Sequence, residues 1–228
     1  MKNFATMLKP LALSIALLSI LTVGSSEARA DEITIAGYTN GTFNGTPAAM
    51  QGPGLQQASI IGLSYTNSTF SGTTVDGFLG LGGNPAPQGM QGVNNLGTFS
   101  LANTRANYDF TFTLRVTFTL PTGINNPTGG TATLTGSVLS TGDGGVQVDF
   151  NNAPILFTFS NASGSGSFLF AVNDVSLGLG QTAALTGQIT AAQTNTVPEP
   201  ATLLLLGTGL AGAALKARRR RTTHSGKE

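Results

Sequence analysis

The chain has 228 residues, no cysteine and only 9% charged side chains, and its formal net charge is +1. That balance hides an uneven distribution: between positions 31 and 197 the only cations are Arg105 and Arg115, against Asp31, Glu32, Asp76, Asp109, Asp143, Asp149 and Asp174, a net charge of −5. An acidic, lysine-free middle argues against nucleic acid and anionic lipid as partners. With the single histidine, His224, near the C-terminus, it also excludes disulfide staples, Ser-His-Asp or Cys-His catalysis and His- or Cys-based metal sites there.

At the N-terminus Lys2 and Lys9 precede an apolar run at 11–23, and Ala28-Arg29-Ala30 follows as an A-x-A site. A positively charged start, an apolar middle and small residues at the cut are the layout of a secretory signal peptide. Residues 1–30 are read as that signal, cleaved after Ala30, with Ala28 and Ala30 in the small pockets of the peptidase and Asp31 as the new N-terminus. The apolar run is short for a membrane span.

The middle shows period two. At 108–120, Phe110, Phe112, Leu114, Val116, Phe118 and Leu120 alternate with Asp109, Thr111, Thr113, Arg115, Thr117 and Thr119. One face is apolar and the other mostly threonine, which predicts a long half-buried strand; a helix would scatter the phenylalanines around its surface. Further strands are expected at 32–36, 59–66, 75–81, 97–101, 131–138, 146–150, 155–160, 167–175 and 183–190. Gly/Pro/Asn clusters such as Gly82-Gly83-Asn84-Pro85 and Asp143-Gly144-Gly145 punctuate them. Many short strands without an amphipathic helix predict an all-β fold, an antiparallel, jelly-roll-like β-sandwich over residues 31–190. Residues 40–57 and 82–95 read as long loops, where binding usually sits, and 191–197 as a polar linker.

Chemistry in this middle is faint. Without His, Cys or Lys, only carboxylates remain, and no pair of them is spaced as an evident catalytic dyad, so no enzyme activity and no cofactor are expected. Calcium needs only oxygen ligands, and Asp143, Asp149 and Asp174, with Asn151, Asn152 and Asn173, are weak candidates. No calcium-loop motif frames them, and turn-forming roles are favoured. A sugar-stacking platform would have to come from Tyr38 and Tyr65, as there is no tryptophan. Four N-x-[ST] matches, at Asn40, Asn44, Asn67 and Asn161, read as turn and strand-face residues.

The C-terminal end is the most specific stretch. Val197-Pro198-Glu199-Pro200 precedes an uncharged segment at 201–215 that includes Leu203-Leu204-Leu205-Leu206, then come Lys216 and Arg218, Arg219, Arg220 and Arg221. The prolines cannot lie inside a helix, so a helix begins after them. Fifteen apolar residues make a rod of about 22 Å, and with snorkelling of the flanking cations 201–217 becomes a marginal transmembrane helix. Arginines on one flank alone place 222–228 in the cytoplasm as a tail. Gly207-Thr208-Gly209-Leu210-Ala211-Gly212 imitates a dinucleotide fingerprint but lacks the βαβ frame and the acidic residue that the mechanism needs. Its glycines read instead as the small-residue face of a membrane helix.

Knuckle, apolar segment and basic block together, at 198–221, resemble the PEP-CTERM sorting signal of exopolysaccharide-producing Gram-negative bacteria. The resemblance implies an exosortase that processes the exported chain at or near Pro198-Glu199-Pro200. It also implies an inner-membrane-anchored precursor with a periplasmic ectodomain, and final delivery to the cell surface or an exopolysaccharide matrix. The ectodomain around 96–121 has some look of the β-rich domains that precede such signals. A structural or interaction protein of the matrix is the reading these residues favour; a carbohydrate-binding module that retains matrix polysaccharide is the alternative.

Overall fold

The structure, a computed structural model, describes residues 29–30, 32–45, 52–87, 89–195 and 207–212. The chain divides into two compact units: Ala28–Thr196, and one formed by Met1–Glu27 with Val197–Glu228. Signal-peptide residues 1–28, the sorting residues Val197 to Pro200 and the basic run at 218–221 lie outside the described residues. In the second unit, residues 207–212 are helical, so the glycines of the G-x-G-x-x-G lie within a helix and not in a strand-to-helix turn. Among the described residues no helix is long and apolar enough to cross a membrane.

The unit Ala28–Thr196 is all β. Its strands run β1 (Arg29–Ala30), β2 (Thr34–Phe43), β3 (Gln57–Ile60), β4 (Leu63–Thr66), β5 (Ser68–Thr73) and β6 (Leu79–Leu81). Next come β7 (Gly92–Val93), β8 (Thr98–Leu101), β9 (Asp109–Leu120), β10 (Ile124–Asn126), β11 (Thr131–Ser140) and β12 (Val146–Phe150). β13 (Ile155–Asn161), β14 (Gly164–Val172), β15 (Val175–Leu177), β16 (Thr182–Ala184) and β17 (Gly187–Asn195) complete the domain. One seven-stranded sheet has the order β15-β12-β11-β9-β2-β5-β7. A six-stranded sheet runs β1-β17-β14-β13-β10 with β6 also on β17, and a four-stranded sheet runs β16-β8-β4-β3. All the pairings are antiparallel except that of β5 with β7.

The alternating stretch at 108–120 becomes β9, an interior strand flanked by β11 and β2. Its apolar face is covered by both of the other sheets. Near its end Phe118 meets Phe157, Phe168 and Phe170 of the six-stranded sheet, and near its start Phe112 meets Tyr65 and Phe99 of the four-stranded sheet. The domain is therefore two-layered, like a sandwich, with one layer built from two shorter sheets. The chain joins those two where β16 gives way to β17: Leu96 N donates to Leu185 O and Leu185 N to Gly97 O, each at 2.8 Å. The buried residues form one continuous core, and each fully buried phenylalanine contributes about 1.5–3 kcal/mol of transfer free energy.

Several expected elements differ. Residues 59–66 are not one strand but the hairpin β3–β4, turning at Ile61 and Gly62, both with positive φ (44° and 82°). A two-residue primed turn requires such angles, and Ile61 gave no compositional sign of one. Residues 167–175 split where Asn173 and Asp174 carry the chain from one layer (β14) to the other (β15). Residues 75–81 begin with a tight turn bridging Val75 and Phe78, so only β6 remains as strand. The loop expected from residue 40 starts later, because β2 continues to Phe43. The linker expected at 191–197 is corrected as well: 191–195 are the end of β17, paired to β14, and the β domain outlasts residue 190.

The threonine face is less open than alternation implies. Thr113 is 8% exposed and Asn40, on the same outer face of the seven-stranded sheet, 1% exposed.

Candidate functional site

The two Gly/Pro-rich loops are held from below by buried polar side chains. Tyr65 is fully buried, and its hydroxyl donates to Leu96 O at 2.7 Å while lying 2.9 Å from Thr39 Oγ1. Thr39 Oγ1 in turn accepts from Ser68 N at 3.0 Å. Gly97 sits against the Tyr65 ring at φ +126°, a conformation that L side chains rarely adopt and a space that a Cβ would fill. Asn95 Oδ1 accepts from Gly97 N, and its Nδ2 donates to Asn84 O at 2.8 Å, fastening the loop at 82–95. Asn67 Oδ1 accepts from Gln56 N and its Nδ2 donates to Gly54 O, each at 2.8 Å, and Gln91 Nε2 reaches Pro53 O. Side-chain hydrogen bonds thus tie down parts of both segments, at 52–57, 82–87 and 89–95. Burial pushes the Tyr65 phenol far above its ordinary range.

This arrangement removes Tyr65 from any sugar-stacking platform. Tyr65 presents no surface, and Tyr108 is also buried, its hydroxyl donating to Ile61 O at 3.1 Å. Only Tyr38, half-buried and opposite Thr69 and Thr117, faces the outside of the seven-stranded sheet.

The carboxylates are dispersed. Asp143 sits at the exposed tip of the β11–β12 hairpin, where Thr141 N donates to Gly145 O. Asp149 is at the other end of β12, exposed and opposite Ser137. Asp174 is exposed too, and its Oδ1 accepts from Phe150 N at 2.9 Å, bracing the crossing between layers. The structure brings Asp149 and Asp174 to one end of the hairpin and leaves Asp143 at the opposite end. Asn151 Oδ1 accepts from Ala153 N, and Asn173 Nδ2 donates to Thr186 Oγ1. Among the described residues no group of three or more His, Cys, Asp or Glu is placed to hold a metal ion. The N-x-[ST] asparagines have structural positions: Asn44 Oδ1 accepts from Thr111 N, and Asn161 Oδ1 from Ser163 N at the β13–β14 turn. Asn40 Oδ1 is buried without a hydrogen-bond partner, and nothing in the structure accounts for it.

The region that sequence reasoning missed is the pole where the domain's ends meet. Arg29 and Ala30 of β1 pair with Asn195 and Thr194 of β17. Beside them lies a cleft of about 380 Å³ lined by Glu32, Ile33, Thr34, Leu120, Pro121, Thr122, Phe159, Asn161, Ser163, Gly164 and Thr194. The reach of β17 was hidden because Ala191, at φ 50°, breaks the alternation, and the pairing with β14 shifts register between Ser167 and Leu169. Beyond that bulge only Ala192 is buried, too small a residue to mark a strand by hydrophobicity.

One residue past the end of β17, the chain enters a stretch that has a family. Residues 196–221 match the family model of the PEP-CTERM protein-sorting motif. The chain carries a PEP-CTERM sorting motif. The motif supports an exported protein that an exosortase sorts and that is held transiently in the membrane. It contains Pro198, Glu199 and Pro200, the apolar segment and all four arginines from Arg218 to Arg221. No curated protein and no solved structure matches the chain, so the match to the PEP-CTERM motif speaks for the C-terminal stretch and not for the β domain.

Proposed function

We propose that the chain is a structural or interaction protein of the cell surface or exopolysaccharide matrix. It is exported by its N-terminal signal, anchored briefly in the inner membrane with the β domain in the periplasm, and processed by an exosortase at the PEP-CTERM motif. The match at 196–221 is the observation that carries this reading. The exposed aspartates, and the use of the Asn67 and Asn95 side chains to fasten neighbouring loops, support a non-catalytic role for the β domain. On this reading the domain works without a cofactor. Burial of Tyr65 leaves Tyr38 alone of the two rings from which a sugar-stacking platform would have to be built.

The motif's chemistry suggests how it is read. Pro198 and Pro200 restrict the backbone on both sides of Glu199 to extended shapes, since each fixes its own φ and limits the residue before it. One carboxylate is thereby offered in a narrow range of poses at small entropic cost. In a host that carries the processing enzyme, the intact mass of protein recovered from medium and membranes tests both cleavages. The released form should begin at Asp31 and lack the arginine run. Glu199→Gln, which keeps the shape, and Pro198→Ala with Pro200→Ala, which keeps the charge, should each accumulate the membrane-retained precursor. Wild-type release from both would leave the motif's helix and arginines as the whole signal and refute recognition of the knuckle.

A further inference from the structure

The sorting motif and the folded domain lie very close along the chain. β17 ends at Asn195, and only Thr196 and Val197 separate it from Pro198. Three residue steps span at most about 10 Å, little room for an enzyme that must engage backbone upstream of Pro198. Asn195 is still in the sheet, with Ser165 of β14 as its partner on one side and Arg29 of β1 on the other. Thr194 is likewise paired with Gly166 and with Ala30. Backbone groups engaged in a ladder cannot at the same time bond along a processing cleft. Cleavage after Ala30 removes β1, and in the exported form the ladder to β14 still holds this strand end.

The end of β17 is also built to open without unfolding the domain. Its last buried residue is Ala192, 2% exposed, whose N–H donates to Gly77 O. Beyond it Gln193 and Asn195 are exposed and Thr194 is half-buried, and a bulge at Ala191 already separates this end from the regular ladder. Strand ends with few buried apolar contacts open locally at much lower free energy than the whole domain.

We propose that residues 193–195 are a latch on sorting: they must peel from β14 before an exosortase-type enzyme can engage the chain on the N-terminal side of Pro198. The proposal rests on the exosortase reading above. On it, the rate of processing scales with the fraction of molecules whose strand end is open, and a β domain that holds its last strand tightly is released slowly.

The chain has no cysteine, so a designed disulfide can be placed without competition. Ser165→Cys with Asn195→Cys joins register partners of an antiparallel pair, a spacing a disulfide can bridge, and the periplasm is oxidising. In a host with the processing enzyme, pulse-chase followed by intact mass reads the precursor and the released form. The locked protein should be processed more slowly by about tenfold or more, and dithiothreitol should restore the rate. The same bond across Ser137→Cys and Asp149→Cys, partners in β11 and β12, should leave processing unchanged. Adding a Gly/Ser insert of about eight residues after Asn195 to the locked protein should restore release, because the enzyme then gains free chain. Wild-type processing of the fully oxidised Ser165–Asn195 variant overturns the latch, as does failure of the insert to rescue it. If the unmodified protein is never processed in that host, the exosortase reading itself falls and the latch with it.

Discussion

At the end of β9, Phe118 meets Phe157, Phe168 and Phe170, and the rings of Phe157 and Phe168 lie stacked, 5.1 Å apart with 1° between their planes. At its start, Phe112 meets Phe43, Tyr65, Phe99 and Phe150, and one of those rings carries a hydroxyl that is hydrogen-bonded to the backbone of Leu96. Both clusters join layers by burying aromatic area. The second also fixes loops, because Tyr65, Thr39, Asn67 and Asn95 convert burial into specific contacts with segments that have little apolar content. A cluster of phenyl rings alone holds sheets together but leaves glycine-rich loops undirected. The polar half of the core is what directs the chain at 82–87 and 89–97.

The largest test of this division is Phe112→Asp. It places a carboxylate at a site of 0% exposure between two sheets, a burial whose cost exceeds the stability of most small domains. The variant should show no cooperative melt by circular dichroism; a native-like transition would mean β9 is not the centre of the core.

Phe168→Ala should cost about 3–5 kcal/mol by removing one ring of the stack. Its effect should be global, lowering the melting temperature while the 82–97 region keeps its relative hydrogen-exchange protection. Selective loss of protection in those loops would show that the two halves are not separable.

Tyr65→Phe should cost less, about 1–3 kcal/mol, because it leaves Leu96 O without its hydroxyl donor in a dry site. Here exchange or proteolysis at 82–97 should rise before global unfolding. The same residue gives a pH signature. Its phenol is raised by burial in the folded state, so the folded protein holds a proton that the unfolded chain loses near pH 10. The stabilisation is therefore complete below about pH 10 and falls above it. Tyr65→Phe should flatten that alkaline decline, and an unchanged slope between pH 10 and 11.5, about the range a melt can reach, would assign it elsewhere.

The smallest effect is expected on the outside of the same sheet. Thr133 is exposed and opposite Arg115, so Thr133→Asp should shift stability by no more than about 0.5 kcal/mol. A larger loss would mean that this face is covered in the protein as it exists in solution.

The sequence by itself determined the class of fold and the sorting end. Alternation in β9, β11 and β12 was strong because each strand has one buried face, and period two follows directly from the pleat. The Pro-Glu-Pro knuckle, apolar segment and arginines were legible because their physics is local. Tertiary structure alone decided the rest. Ile61 and Gly62 turn the chain because β4 must return beside β3, a demand that Ile61 does not announce. Tyr65, which composition offered as a surface ring, is interior because its hydroxyl has partners, Leu96 and Thr39, that lie 31 and 26 positions away. Asp143 as a turn residue and Asp149 on a strand face were legible in the sequence, but the bracing role of Asp174 emerged only once β12 and β15 were side by side. Residues 191–195, polar and weakly patterned, are strand because β14 supplies their backbone with partners, and a ladder needs no hydrophobic signature to form.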